Sequence, residues 1–244
     1  MIEVVDLTKR YEDGLLALDT LNLKVQAGEI YCLLGANGAG KTTTINLLLN
    51  FIEPTSGAAF INRIDVSKNP LEAKKHTSYV SENVMLYGNF TARQNLEFFA
   101  KLGGKHGLTK DDYYMALREV GLQEKSFEQQ VRHLSKGMRQ KVAIAIAIIR
   151  DTAAILLDEP TSGLDPKAGT EFVEILNDLR QRSKAILMST NDIFRAKDIA
   201  DRVGILKEGR KVLERTHDEI ENEDLHSLYL NYTRGGYGAE TELI

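Results

Sequence analysis

The most specific chemistry in this chain sits in Gly35-Ala36-Asn37-Gly38-Ala39-Gly40-Lys41-Thr42. The glycines let successive backbone N–H groups turn inward around a phosphate. A helix opening at Lys41 adds its positive end at the same spot. In that arrangement the Lys41 ammonium reaches the β- and γ-phosphates of a nucleotide, and the Thr42 hydroxyl can ligate Mg²⁺. The apolar run Ile30-Tyr31-Cys32-Leu33-Leu34 precedes the loop, and a helix-compatible stretch from Thr43 to Asn50 follows it. That is the strand–loop–helix setting which the spacing G-x-x-x-x-G-K-[ST] requires. Gly35 through Thr43 are therefore candidate nucleotide-binding residues.

Ile155-Leu156-Leu157-Asp158-Glu159 is the second constellation. An apolar strand ending in paired carboxylates places Asp158 at the carboxyl end of a buried sheet, where α/β folds bind ligands. Asp158 would hold Mg²⁺, directly or through water. Glu159 would face the γ-phosphate and orient or deprotonate the attacking water.

These residues need an α/β scaffold, and the rest of the chain supplies its pattern. Ile2 to Leu7 and Asn22 to Gln26 read as strands, with a turn at Ala27-Gly28 before Ile30 to Leu34. Ala58 to Ile61 and Thr77 to Val80 read as further strands, with a short helix from Leu71 to His76 between them. From residue 84 to about 150 the pattern turns helical. Thr91 can cap one helix, Asp111 and Asp112 precede a second, and a third from Arg139 to Arg150 is apolar nearly all round. Ala153 to Leu157 then reads as a buried parallel strand. Asp165 and Pro166 start a helix running to about Arg182 as N-cap and first residue. Ala185 to Met188 is a strand, and Arg202 to Lys207 and Arg210 to Glu214 form a hairpin around Glu208-Gly209. A helical tail is expected over 216–244, ending in a frayed segment with Gly235, Gly236 and Gly238. The expectation is an α/β P-loop NTPase with a mostly parallel core sheet, an antiparallel N-terminal β-subdomain and an inserted helical subdomain.

Leu134-Ser135-Lys136-Gly137-Met138 lies between the two constellations, directly before a helix, and resembles the signature motif of ATP-binding cassette (ABC) proteins. Pro160-Thr161-Ser162-Gly163-Leu164-Asp165 looks like the segment after the second carboxylate in that family, including its dimer-contacting loop. Tyr11 falls where the family carries an aromatic that stacks on adenine. The resemblance covers nearly the whole chain in the family's order. It implies that ATP and Mg²⁺ are bound, that Tyr11 and Asp165 join the nucleotide-contacting set, and that two cassettes, two copies of this chain in the simplest case, pair head-to-tail. Ser135 would donate from its hydroxyl and Gly137 would let backbone amides approach. With the dipole of the helix from Arg139, they would form a second anion site for the partner's γ-phosphate. Lys136 and Met138 resemble the branch that powers drug, polysaccharide and related exporters. The implied role is ATP hydrolysis coupled to transport through separately encoded transmembrane permease subunits, with Tyr87 to Phe90 at the edge of the docking groove. A soluble ATPase of the same family and a slow-turnover nucleotide-gated cassette stay open as alternatives.

Two positions depart from the family. Glu82 stands where a glutamine usually touches Mg²⁺; a carboxylate is a harder ligand but adds negative charge beside a triphosphate. Asn191 stands where the switch histidine is expected. It can donate a hydrogen bond but cannot take a proton, so binding and pairing should persist while hydrolysis slows.

With 31 basic and 35 acidic residues the net charge is −4, which argues against a nucleic-acid partner. A hydrophobic share of 43% and a charged share of 27% are those of a soluble globular protein. The N-terminus lacks a basic segment followed by an apolar one. The longest apolar run, Val142 to Ile149, falls far short of the ~20 residues of a spanning helix. A cytoplasmic chain, peripheral at the membrane through its partners, is expected. The single cysteine, Cys32, excludes an intrachain disulfide and reads as a small buried hydrophobe.

Overall fold

The first two strands open an antiparallel sheet, and the strand that leads into the phosphate loop belongs to a second, mostly parallel one. The computed structural model describes residues 1–233. In chain order it holds β1 (Ile2–Arg10), β2 (Leu16–Val25), β3 (Ile30–Leu34), α1 (Lys41–Leu48), β4 (Ser56–Ile61), β5 (Ile64–Asp65), α2 (Pro70–Lys75) and β6 (Thr77–Val80). The helices α3 (Ala92–Leu102), α4 (Lys110–Glu119) and α5 (Lys136–Arg150) follow. The chain then forms β7 (Ala154–Asp158), α6 (Pro166–Gln181), β8 (Ala185–Thr190), α7 (Ile193–Ile199), β9 (Arg202–Lys207), β10 (Arg210–Thr216), α8 (His217–Asn222) and α9 (Leu225–Thr233). One sheet has the order β2-β1-β4-β5 and the other β10-β9-β3-β8-β7-β6. In the second, β9, β3, β8, β7 and β6 run parallel and β10 closes the edge antiparallel.

The continuous apolar runs follow from burial on both faces. Along β3, Ile30, Cys32 and Leu34 face the core shared with the helices, whereas Tyr31 and Leu33 face the core shared with the N-terminal sheet. β7 and β8 divide the same way, with Ile155, Leu157, Ile186 and Met188 on one side and Ala154, Leu156, Ala185 and Leu187 on the other. Removing one such side chain to Ala would cost ~2–5 kcal/mol. Burial pushes the Cys32 thiol well above its ordinary range, and Asp201 adds to this, so it is an inert core group.

Several elements differ from the sequence reading, and pairing explains most of the differences. β2 begins at Leu16 because it pairs along β1 from Arg10↔Leu16 to Ile2↔Val25. β8 continues past Met188 because Ser189 and Thr190 pair with Leu33 and Leu34. α4 is capped by Thr109, which exchanges hydrogen bonds with Asp112, so Asp111 and Asp112 lie inside its first turn. α7, N-capped by Asp192, has no counterpart in the sequence reading. The segment with Gly235, Gly236 and Gly238, and the part of the expected tail beyond 233, lie outside the described residues.

Strand register prepares the site. Leu34 is level with Thr190, and Asp158 with Ser189. The residues that follow β3, β7 and β8 therefore emerge side by side at the carboxyl edge of the sheet: the phosphate loop, Glu159 and Asn191.

Candidate functional site

The phosphate loop is held from both sides. Gly40 adopts φ 110°, and a Cβ there would lie 2.6 Å from the Ala17 carbonyl of β2, so only glycine fits. The tip of the β9–β10 hairpin supports the other flank, with Gly209 N–H donating to the Ala39 carbonyl (3.0 Å) and Asp19 N–H donating to the Gly209 carbonyl (3.0 Å). The sequence reading found the hairpin but not this role.

Lys41 is 6% exposed, and a buried ammonium must be compensated. Its Nζ donates to the Gly35 carbonyl (2.5 Å), the Ala36 carbonyl (3.3 Å) and Asn191 Oδ1 (2.6 Å). It also lies 3.4 Å from Glu159 Oε1. Because lysine only donates, Asn191 presents its oxygen to Lys41, and its Nδ2 donates to Asn37 Oδ1 at 3.1 Å. Asn191 N–H donates to Glu159 Oε2 (3.1 Å). Asn191 thus joins the loop, the lysine and the carboxylate in one network.

Glu159 is a non-glycine residue at φ 46°, a left-handed conformation that costs ~1–2 kcal/mol. Ser189 steadies it, its carbonyl and its Oγ each accepting from Glu159 N–H at 3.1 Å. Among the described residues Glu159 Oε1 is buried and accepts no hydrogen bond, and the ion pair to Lys41 compensates it. Ser189 Oγ also donates to Asp158 Oδ1 (2.5 Å), and Thr42 Oγ1 donates to the same oxygen (3.3 Å). Ser189 carried no sequence signal, because only the register of two distant strands places it beside both carboxylates.

Two tyrosines feel this charge. Burial first, and then the Asp158 carboxylate, push the Tyr79 phenol up to about 12. Burial first, and then Glu159, likewise raise the Tyr229 phenol of α9.

The oxygens of Thr42 and Asp158 are hard donors of the kind Mg²⁺ takes. Among the described residues no group of three or more His, Cys, Asp and Glu could hold a metal by itself. The donor set fits an ion that draws its other ligands from phosphate and water. Glu82 is engaged elsewhere, its Oε1 accepting from Ser162 Oγ (2.8 Å) on the loop after Glu159.

Ser135 and Gly137 lie apart from this network. Ser135 is the N-cap of α5, its Oγ accepting from Met138 N–H (3.2 Å), so the helix begins at Lys136 and not at Arg139. The two residues line a recess of about 760 Å³ together with Lys136, Gly163, Leu164 and Asp165, and no residue of 35–43 takes part in that lining. Asp165 caps α6 as expected, accepting from Ala168 N–H (2.9 Å). Gln140 of α5 donates to the Pro160 carbonyl, tying the recess to the residue after Glu159. Tyr11 sits half-buried at the β1–β2 turn, its N–H donating to the Leu15 carbonyl (2.9 Å) and Lys9 Nζ 5.2 Å from its ring centroid.

A family model described as ABC transporter matches residues 18–162. The chain is 32% identical over 220 residues to the Probable multidrug ABC transporter ATP-binding protein YbhF of Escherichia coli (strain K12), covering 90% of this chain and 38% of that protein. It therefore spans well under half of that relative. It is 32% identical over 243 residues to the ABC transporter ATP-binding protein NatA of Bacillus subtilis (strain 168), covering 95% and 97%. It is 37% identical over 221 residues to the Bacitracin transport ATP-binding protein BcrA of Bacillus licheniformis, covering 90% and 71%. Among solved structures, an ATP-binding subunit of an ABC transporter superposes with a TM-score of 0.83 at 32% identity, over 95% of this chain and 98% of that one. The dimeric post-hydrolysis state of the cassette MJ0796, bound to ADP and Pi, gives 0.81 at 27%, over 89% and 99%.

Proposed function

The chain belongs to the ABC transporter family, and from that premise we propose that it is the ATP-hydrolysing subunit of a membrane exporter, working as one of two paired cassettes. The observation that carries this reading is the Lys41–Asn191–Glu159 network, which gathers phosphate loop, carboxylate and switch position at one sheet edge while Ser135 sits in a recess of its own.

The loop amides of 35–43 and Lys41 bind the triphosphate, and Tyr11 stacks on the adenine. Thr42 and Asp158 would hold Mg²⁺, which when bound neutralises phosphate charge. Glu159, kept in place by Ser189 and Asn191 N–H, takes the proton of the attacking water. Ser135, Gly137 and Asp165 close on the nucleotide of the second cassette. Glu82, through Ser162, links the loop after Glu159 to the segment leading to Tyr87. Asn191 supplies an amide where an imidazole would serve the water, which sets a slow rate.

The exposed side chains of Met85 (85%), Tyr87 (49%) and Phe90 (37%) suit a separately encoded membrane subunit. Tyr87 packs on Phe90 and Phe98, with ring centroids 5.2 and 4.7 Å away, so the surface is preformed. Among the described residues no helix is long and apolar enough to cross a membrane, in keeping with a peripheral location at the cytoplasmic face. The names of YbhF and BcrA, multidrug and bacitracin transport, support a transport role for this chain.

The test is steady-state ATPase activity together with co-purification from detergent-solubilised membranes. Mg²⁺-dependent turnover and a co-purifying membrane subunit are expected. Absence of the membrane subunit would favour the soluble-ATPase alternative. Binding without measurable turnover would favour a nucleotide-gated cassette, the second reading that Asn191 motivates.

A further inference from the structure

Helix α5 carries one polar side chain into an otherwise apolar buried face. Gln140 is fully buried, and the other residues that α5 buries, Val142, Ile144, Ala145, Ile146 and Ala147, are all apolar. One end of its amide is used and the other is not. Nε2 donates to the Pro160 carbonyl, whereas Oε1 is buried and, among the described residues, has no hydrogen-bond partner. A buried oxygen left in that state is destabilising. The glutamine thus satisfies one buried oxygen and orphans another, so its net return to stability is small. What its donor does specify is where the Pro160 carbonyl stands.

Pro160 is buried and follows Glu159 directly. Proline has no N–H, so the chain can be held at this residue only through its carbonyl. The backbone around Glu159 is then fixed from three sides. Ser189 accepts from Glu159 N–H, Ser162 N–H donates to the Glu159 carbonyl (3.1 Å), and Gln140 donates to the next carbonyl along. Together these bonds hold the peptides on both sides of Glu159, and with them the φ of 46° from which its carboxylate meets Lys41. A left-handed non-glycine residue persists only while its surroundings over-determine it. Gln140 is the one member of this clamp that comes from α5, and it lines no part of the recess at the start of that helix.

We propose that Gln140 is a positioning residue for the reaction, its amide fixing the backbone of Glu159 and so the place of the carboxylate that takes the proton of the attacking water. This rests on the reading of Glu159 as that base. Gln140 acts on the Glu159 of its own chain, although α5 begins at the turn assigned to the partner's nucleotide.

The experiment separates this action from any effect through the recess. Full-length chains carrying two different tags are paired in ATP and isolated through both tags. One chain carries Lys41→Met, so only the other chain's phosphate loop and Glu159 support turnover. Gln140→Met, similar in volume but without a donor, is placed either on the live-loop chain or on the Lys41→Met chain. The first placement is expected to lower kcat about tenfold relative to the second, the scale of a small displacement of a reacting group. The ATP Kd of the Gln140→Met chain is expected within about twofold of wild type, since a displaced base alters kcat and not ground-state binding. Its Tm is expected within about 4 °C of wild type, since one orphaned oxygen replaces another. A larger loss from the Lys41→Met chain would mark action through the recess, and equal kcat for the two placements would mark a merely structural role; either overturns the proposal. Gln140→Leu, read the same way, takes over if the methionine chain does not fold. Glu159→Gln on the live-loop chain is the control, and turnover within roughly tenfold of wild type removes the reading of the base and the proposal with it. If the unsubstituted chains form no doubly tagged species, the paired-cassette reading falls. The Gln140→Met chain assayed alone then decides, the same loss of kcat supporting the proposal and an unchanged kcat overturning it.

Discussion

Two places in the chain are proposed to face phosphate, and they are finished to different degrees. Both use a glycine-bearing turn at a helix N-terminus. At the phosphate loop the lysine is matched within the chain: Lys41 is buried, and two carbonyls, an amide and a carboxylate share its charge. At the recess Ser135 is exposed, and among the described residues Lys136 forms no ion pair and the Ser126 hydroxyl has no hydrogen-bond partner. The lysine of the loop is compensated within the chain, whereas Lys136 of the recess is not paired with a carboxylate among the described residues. On the proposed reading, the recess is a phosphate site that a second molecule completes.

Substitutions can break or sharpen that contrast. The largest effect is expected from Glu159→Gln, which keeps the shape but removes the base. Turnover should fall by ~10²–10⁴ while ATP binding persists and cassette pairs accumulate, as a phosphate-release assay with light scattering would read. A variant that still turns over within tenfold of wild type would remove Glu159 from its role. Asn191→His comes next. Restoring a ring that can meet both water and phosphate should raise kcat by on the order of 10², and no gain would contradict the account of slow turnover. Ser135→Ala acts on the unfinished site alone. A roughly tenfold loss of turnover is expected, with ATP affinity of the monomeric chain within about twofold of wild type. An equal loss of monomer affinity would mean the two sites are not separate. Tyr11→Ala should be the smallest change, weakening ATP binding by about 1 kcal/mol, several-fold in Kd by calorimetry.

What was legible in the sequence is what local chemistry fixes. The loop and β3 were readable because glycine spacing and an apolar run define them. Asp165-Pro166 and Glu208-Gly209 were readable because caps and tight turns need particular residue types. The reach of β2 and β8 was not, since partner strands and not propensity extend them to Leu16 and Thr190. Ser189 became part of the site only through its register with Asp158. The engagement of Glu82 with Ser162 joins residues 80 positions apart, and a pattern read along the chain does not see it. The start of α5 at Lys136 depended on whether Ser135 caps the helix or merely precedes it, and its hydrogen bond to Met138 decided that.

The central claim is that the recess of one chain completes the phosphate loop of another. Two populations of the full chain, both Cys32→Ala, carry Ala36→Cys in one and Lys136→Cys in the other. They are mixed with a non-hydrolysable ATP analogue, Mg²⁺ and a short bis-maleimide. The account predicts a covalent species containing one chain of each kind, dependent on the analogue and lost when Lys41→Met is added to both chains. Monomers alone, or crosslinking indifferent to nucleotide, would contradict it.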